Sequence, residues 1–258
     1  MRRCLLAAAL TAACLLSVAC GQREELQPPV QTALVGGASG QELATVQILR
    51  RGNGTEPETL DPHRAEGVTA ANVLRDLFEG LVTEAPDGTL IPGAAESWTL
   101  SDDGLVYTFR LKKGVHFVDD PAFPDGRGRE VVAEDLIYSI KRHFDPANQP
   151  QGAWLWQGRI AGLEEWKAAG SDYDQPVSGL RAIDSHTLEI RLLRPYPQLV
   201  STLAQGYAAL VPREAVEKYG KGRGVRPVGS GPFKLISYDT ARVVMERNPK
   251  FRQEPVDL

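Results

Sequence analysis

The sequence predicts an α/β protein, and three observations lead there. Between Gly104 and Gly114, Leu105, Tyr107, Phe109 and Leu111 alternate with Val106, Thr108 and Arg110, the period-two pattern of a half-buried strand. Two stretches carry the spacing of one-faced helices: Ala70, Ala71, Leu74, Leu77, Phe78 and Leu81 in the first, Leu136, Ile137, Ile140 and Phe144 in the second. Turn sequences such as Pro86-Asp87-Gly88 and Asp102-Asp103-Gly104 punctuate them, with Gly supplying positive φ. With 258 residues, 42% of them hydrophobic, the chain is long and apolar enough for a sizeable core in one or two domains. A net charge of −4 gives no basic footprint, which argues against nucleic acid as a partner.

The chain opens as a secretory signal: basic Met1-Arg2-Arg3, an apolar run over residues 4–19, then Cys20-Gly21-Gln22. The run is shorter than the roughly 20 apolar residues that a membrane span needs. Leu15-Leu16-Ser17-Val18-Ala19-Cys20 resembles the lipobox of bacterial lipoproteins, with Ser17 where that motif usually carries Leu. The resemblance makes 1–19 the signal and Cys20 the lipidated first residue, tying an exported body to a membrane in the cell envelope. Cys4 and Cys14 fall inside the signal, so the mature chain has no second thiol and is held by its core instead of a disulfide.

Residues 20–45, rich in Gln, Gly, Glu and Pro in their first part, read as a flexible tether. Val46, Ile48 and Leu49 give a short strand. It leads into residues 56–80, EPETLDPHRAEGVTAANVLRDLFEG, the stretch the body is arranged to present. Asp61-Pro62 closes a strand, 63–68 is irregular, Thr69 is read as an N-cap and Gly80 as the helix stop. An irregular crossing between two rigid elements leaves main-chain groups able to bond a ligand. Further on, 115–117 returns from the turn at Lys112-Lys113-Gly114, and 119–130 is a polar loop. In the helix over 133–144, Glu134 and Asp135 open and Lys141, Arg142 and His143 close, an order that suits the helix dipole. Trp154 and Trp156 lie in a loop-like stretch; 160–169 is helical, 187–193 a strand, and short helices follow Pro197 and Pro212. Two final strands cover 233–238 and 243–247.

Catalytic and metal signatures are missing. Asp184, Ser185 and His186 are adjacent in a turn, where a hydrolytic triad is not expected to form. His63, His116, His143 and His186 stand on separate elements without ligand spacing, so no metal or other cofactor is expected. Gly229-Ser230-Gly231-Pro232 lacks the phosphate-loop pattern and its lysine; it reads as a backbone bend at a domain crossing. Nothing in these residues argues for an enzyme.

Eight pieces in order resemble the family 5 extracellular solute-binding proteins, which include the oligopeptide- and dipeptide-binding proteins of bacterial ABC importers. They are EPETLDPHRAEGV (56–68), NVLRDLFEGL (72–81), PGAAESW (92–98), YTFRLKKGVHF (107–117), VVAEDLIYSIKR (131–142), AIDSHTLEIRL (182–192), VGSGPFKL (228–235) and VMERNPKF (244–251). The resemblance implies a periplasmic-binding-protein-like fold of type II, cluster C, with a mixed sheet. Residues 46–78 and 213–258 would form a first α/β domain, and 79–212 an appended α+β domain. The family's closing lobe has no counterpart here, so the chain is expected to be a fragment or the product of a split or truncated gene. In peptide-binding relatives the backbone at the positions of Glu66, Gly67 and Val68 pairs with an extended peptide, whatever its sequence. An aromatic that packs on ligand in some relatives would fall near Gly152; Trp154 or Trp156 would substitute. The implied function is a monomeric, lipid-anchored capture protein that passes peptides to ABC permease subunits. The alternatives are another solute (a nickel complex, haem or an oligosaccharide) or a lipid-anchored signalling receptor.

Overall fold

The computed structural model describes residues 34–36, 42–44, 46–220 and 226–252. The signal at 1–19 and Cys20 lie outside the described residues. The chain separates into two compact units, Met1–Gly52 and Asn53–Leu258. In the first, β1 (Leu34–Gly36) and β2 (Glu42–Ala44) pair antiparallel, an element inside the stretch expected to be a tether. The strand expected at Val46, Ile48 and Leu49 does not form, and all three side chains are exposed. A strand exists through its ladder, and none among the described residues reaches them.

The second unit begins irregularly, without the strand expected before Asp61-Pro62. Helix α1 (Val68–Leu77) starts one residue before the expected cap, Thr69. Gly67 holds the N-cap position at φ −92°, ψ 153°, and the helix ends at an extended Phe78, short of Gly80. Gly80 serves close approach instead of a turn: a Cβ there would stand 2.8 Å from Leu203 O.

Strands β3 (Val82–Glu84) and β4 (Leu90–Pro92) make a hairpin, followed by β5 (Ala95–Leu100) and β6 (Val106–Leu111). After α2 (Ala133–Arg142) and α3 (Leu163–Ala168) come β7 (Leu180–Asp184) and β8 (Thr187–Arg191). β5, β6, β8 and β7 form, in that order, a four-stranded antiparallel sheet. The alternation read from the sequence sets its faces: Tyr107, Phe109 and Leu111 point into the core, with Phe109 opposite Leu188. Phe109, Phe117, Leu136, Leu188 and Ile190 are fully buried in one cluster, each adding roughly 1.5–3 kcal/mol of apolar burial.

Helices α4 (Leu199–Leu203) and α5 (Arg213–Tyr219) precede the hairpin of β9 (Phe233–Tyr238) and β10 (Val243–Arg247), whose ladder shifts register between Val244 and Met245. This hairpin joins a second cluster built from Leu60, Val73, Leu74 and Leu77 of the crossing and α1, with Ala209 and Val211. Gly229 and Gly231 are required by contact with the end of α1, since a Cβ at Gly229 would lie 2.1 Å from Leu77 O.

The polar loop over 119–130 acts as a clasp. Asp120 accepts from Tyr219 and Arg226, Lys250 bonds Asp119 and Gly128 O, and Phe123 stacks on Phe117 in the core. Arg129 runs from the loop to a bidentate pair with Asp135 (2.8 and 2.7 Å) and another with Glu214 (2.6 and 2.9 Å). These bonds tie residues 119–130 to α2, α5 and the segment after β10.

Candidate functional site

The crossing between Leu60 and α1 is built in two halves. The first turns on Asp61, whose main-chain oxygen accepts from Arg64 N and Ala65 N at 3.1 Å and whose Oδ1 accepts from His63 N at 3.1 Å. Beneath it, Arg142 Nη2 donates to Asp61 Oδ2 at 2.9 Å and Nη1 to His63 Nδ1 at 2.6 Å. His63 Nε2 donates to Ala209 O at 2.9 Å, which assigns the neutral Nε2–H tautomer from its partners. His143, also neutral, donates from Nε2 to Tyr207 O at 2.8 Å, and the two imidazole rings lie 4.5 Å apart. Arg142 and His63 are 0% exposed. Burial, then the charge of Arg142 and the cost of a second cation beside His143, holds His63 well below the usual histidine range. Burial lowers His143 to about 4, although its bond to Tyr207 O opposes the shift.

Two readings of the sequence change here. The cations closing α2 do not simply face the helix dipole in water. Arg142 is the buried partner of Asp61, and Lys141, 5% exposed, donates to Tyr173 O and Gln175 O. The separate histidines are also brought together in one case, His63 with His143. Among the described residues no group of three or more His, Cys, Asp or Glu could hold a metal ion. In the turn at 184–186, Asp184 Oδ1 accepts from the main-chain His186 N instead of its ring, and the ring meets Ser185 and Glu130. Ser185 Oγ lies 2.9 Å from His186 Nδ1, and His186 Nε2 lies 3.1 Å from Glu130 Oε1. Glu130 also accepts from Gly114 N at 2.6 Å, so this line of bonds fastens two turns together.

The second half of the crossing faces outward. Glu66 and Val68 are exposed, Val68 at 76%, and Gly67 is partly so. Glu66 N and Gly67 N both donate to one oxygen, Glu58 Oε1, at 2.7 and 2.9 Å. Glu58 is itself exposed. Burial opposes its charge, yet the main-chain donors at Gly67, Glu58 and Glu66 keep its carboxyl below the ordinary value. Val68 N–H, at the first position of α1, makes no hydrogen bond among the described residues. Such a main-chain edge can take an acceptor from another chain in the manner of strand addition.

The expected aromatics divide. Trp154, in a 3-10 turn over Ala153–Leu155, is 60% exposed, while Trp156 is 1% exposed in the core with its ring centroid 6.3 Å from that of His143. Trp156 therefore offers no face to a ligand on the crossing. Gly152 leaves room for another ring: a Cβ there would stand 2.7 Å from His143 Cε1 and 2.9 Å from Tyr207 Cβ and Cγ. Sequence reasoning passed over Glu58, Arg142 and Tyr207. The aromatic gap at Gly152 is the one signal at this spot, and the replacements read for it are Trp154 and Trp156, not Tyr207.

With this geometry in view, residues 89–258 match the bacterial extracellular solute-binding proteins, family 5 middle region. The chain is 38% identical over 220 residues to the periplasmic oligopeptide-binding protein OppA of Escherichia coli, covering 83% of this chain and 38% of that protein. It is 32% identical over 214 residues to the probable deoxycholate-binding periplasmic protein YgiS of the same organism, covering 81% of this chain and 38% of the relative. Among solved structures it resembles Haemophilus influenzae OppA in complex with the peptide RPPGFSPFR. The TM-score is 0.67 and the identity 31%, over 77% of this chain and 38% of the other. The chain thus spans 38% of the length of these relatives.

Proposed function

The chain belongs to the family 5 bacterial extracellular solute-binding proteins, and on that premise we propose that it captures di- or oligopeptides outside the cytoplasmic membrane for an ABC importer. The family is one of binding proteins, not enzymes. In this reading residues 66–68 pair with the backbone of an extended peptide, Trp154 lies along the ligand's path, and permease subunits receive the loaded protein. Acylated Cys20 tethers it, an assignment supported by the lipobox-like run before that residue. Among the described residues no helix is long and apolar enough to cross a membrane. We also assign residues 46–78 and 213–258 to one α/β domain and 79–212 to an appended one. The packing of Leu60, Val73, Leu74 and Leu77 with the β9–β10 hairpin favours that division, while Tyr138, Ala209 and Val211 join that cluster across it and Ala215 and Val228 join the sheet core.

The observation that carries the peptide reading is the state of the outward half of the crossing. Its N–H groups belong to no sheet. One finds no partner among the described residues, and two are held by an exposed carboxylate that an incoming acceptor can replace. Pairing of this kind is indifferent to side chains and suits a broad range of peptides. A second reading, an amphipathic non-peptide solute, is favoured by the likeness to YgiS.

Val68→Pro in the full-length protein separates the two. Position one of a helix accepts proline, and the extended Gly67 before it suits a pre-proline residue, so the fold is kept while one donor is lost. The expected outcome is weaker binding across all peptides alike, by about 1–3 kcal/mol, or roughly five- to a hundred-fold. Unchanged peptide affinity would contradict main-chain pairing at this residue.

A further inference from the structure

Tyr207 lies in a 3-10 turn over Gly206–Ala208, and its surroundings aim it at the crossing. Its carbonyl accepts from His143 Nε2 at 2.8 Å, and two residues on Ala209 O accepts from His63 Nε2 at 2.9 Å. Gln151 N, beside Gly152, donates to His63 O at 3.0 Å. Three separate segments, 61–68, 149–152 and 206–209, are therefore fastened together at this one place. The Tyr207 ring stands edge-on to His143, with centroids 6.4 Å apart and planes at 80°. It fills the space in front of Gly152, where any side chain would meet its Cβ and Cγ. The ring is only partly buried, and its hydroxyl makes no hydrogen bond among the described residues. Its surroundings are acidic as well: besides burial, the charges of Glu66 and Glu58 raise the phenol above its usual range.

We propose that Tyr207 is the aromatic wall of the peptide groove beside residues 66–68, and that it selects a basic side chain, arginine or lysine, on the peptide residue lying there. This rests on the peptide-binding reading and adds a specificity to it. A tyrosine face attracts a cation through its quadrupole, and guanidinium stacks on it best. The carboxylates of Glu58 and Glu66 add attraction for a basic side chain and repel an acidic one. Main-chain pairing supplies affinity without regard to sequence, and this subsite superimposes a preference on it. The hydroxyl is not needed, because nothing holds it.

Isothermal titration of the full-length protein tests this with tri-alanine peptides in which each position in turn carries arginine or aspartate. The wild type is expected to prefer arginine over alanine, and alanine over aspartate, at one position. Tyr207→Leu keeps an apolar side chain in the space but removes the π face. It should shrink the ratio of arginine-peptide to tri-alanine affinity by roughly two- to thirty-fold. Tyr207→Phe should keep the preference, and Glu66→Gln should reduce the ratio of arginine-peptide to tri-alanine affinity. Arginine discrimination that survives in Tyr207→Leu, or its absence in a wild type that binds tri-alanine, would overturn the assignment while leaving the peptide reading standing. A wild type that binds none of these peptides would overturn the peptide reading, and the subsite with it.

Discussion

The inner and outer halves of the crossing are consecutive in sequence and opposite in physics. Residues 61–65 are held from below by a charged, fully buried guanidinium, a neutral histidine and main-chain bonds. The N–H groups of Glu66 and Gly67 are held by one exposed carboxylate, and Val68 only begins α1. The contrast shows how a binding edge is presented: the chain is fixed on one side so that main-chain groups on the other stay in place without a sheet. Ordering an irregular backbone costs roughly 1–2 kcal/mol per residue, which the inner half meets through folding instead of leaving it to the ligand.

The largest expected effect comes from breaking the inner half. Arg142→Leu leaves Asp61 as a buried carboxylate without its cation and His63 Nδ1 without its donor. A loss of about 3–5 kcal/mol in urea unfolding is expected. A loss below about 1 kcal/mol would mean that the inner half is not what fixes the crossing.

Acid sharpens the same contrast. His143 is neutral and buried, with its pKa lowered from the model-peptide 6.5 to about 4. A base with a depressed native pKa stabilises the fold fully above about 6.5, and that contribution is lost as pH falls from there toward about 4. The loss reaches about 3 kcal/mol for His143. His63, lowered in the same direction, adds to the slope. Unfolding midpoints between pH 7 and 4 should fall accordingly, and a flat profile would place both histidines outside the core.

The smallest effect belongs to the outer half. Glu58→Ala removes the acceptor of Glu66 N and Gly67 N, and water takes its place. Global stability should change by less than about 1.5 kcal/mol, while exchange of those two amides speeds up locally. A global loss matching that of Arg142→Leu would erase the distinction between the halves.

Much of this was legible in the residues, for identifiable reasons. β6 follows from alternation and turn chemistry, which act locally, and β9 and β10 form over the two final strands read from the sequence. The strand misread at Val46, Ile48 and Leu49 has the right side chains but no ladder, and pairing is a long-range property. The helix starts from Gly67 instead of Thr69, without a side-chain cap, and Gly67 N is held by Glu58 nine residues away, a contact outside any local capping pattern. Arg142 carries the helical position of a surface cation, and only the arrival of Asp61 from 81 residues away turns it inward. Tyr207 shows no periodicity, and its place in front of Gly152 depends on the missing side chain there.

On the proposed reading, ligand engages the outer half while the inner half stays fixed. Hydrogen–deuterium exchange of the full-length protein, with and without a saturating peptide pool, reads both at once. Slower exchange is predicted at residues 66–68, with residues 61–65 protected to the same degree in both states. Peptide binding that leaves residues 66–68 unchanged, or that protects residues 61–65 instead, would contradict the account.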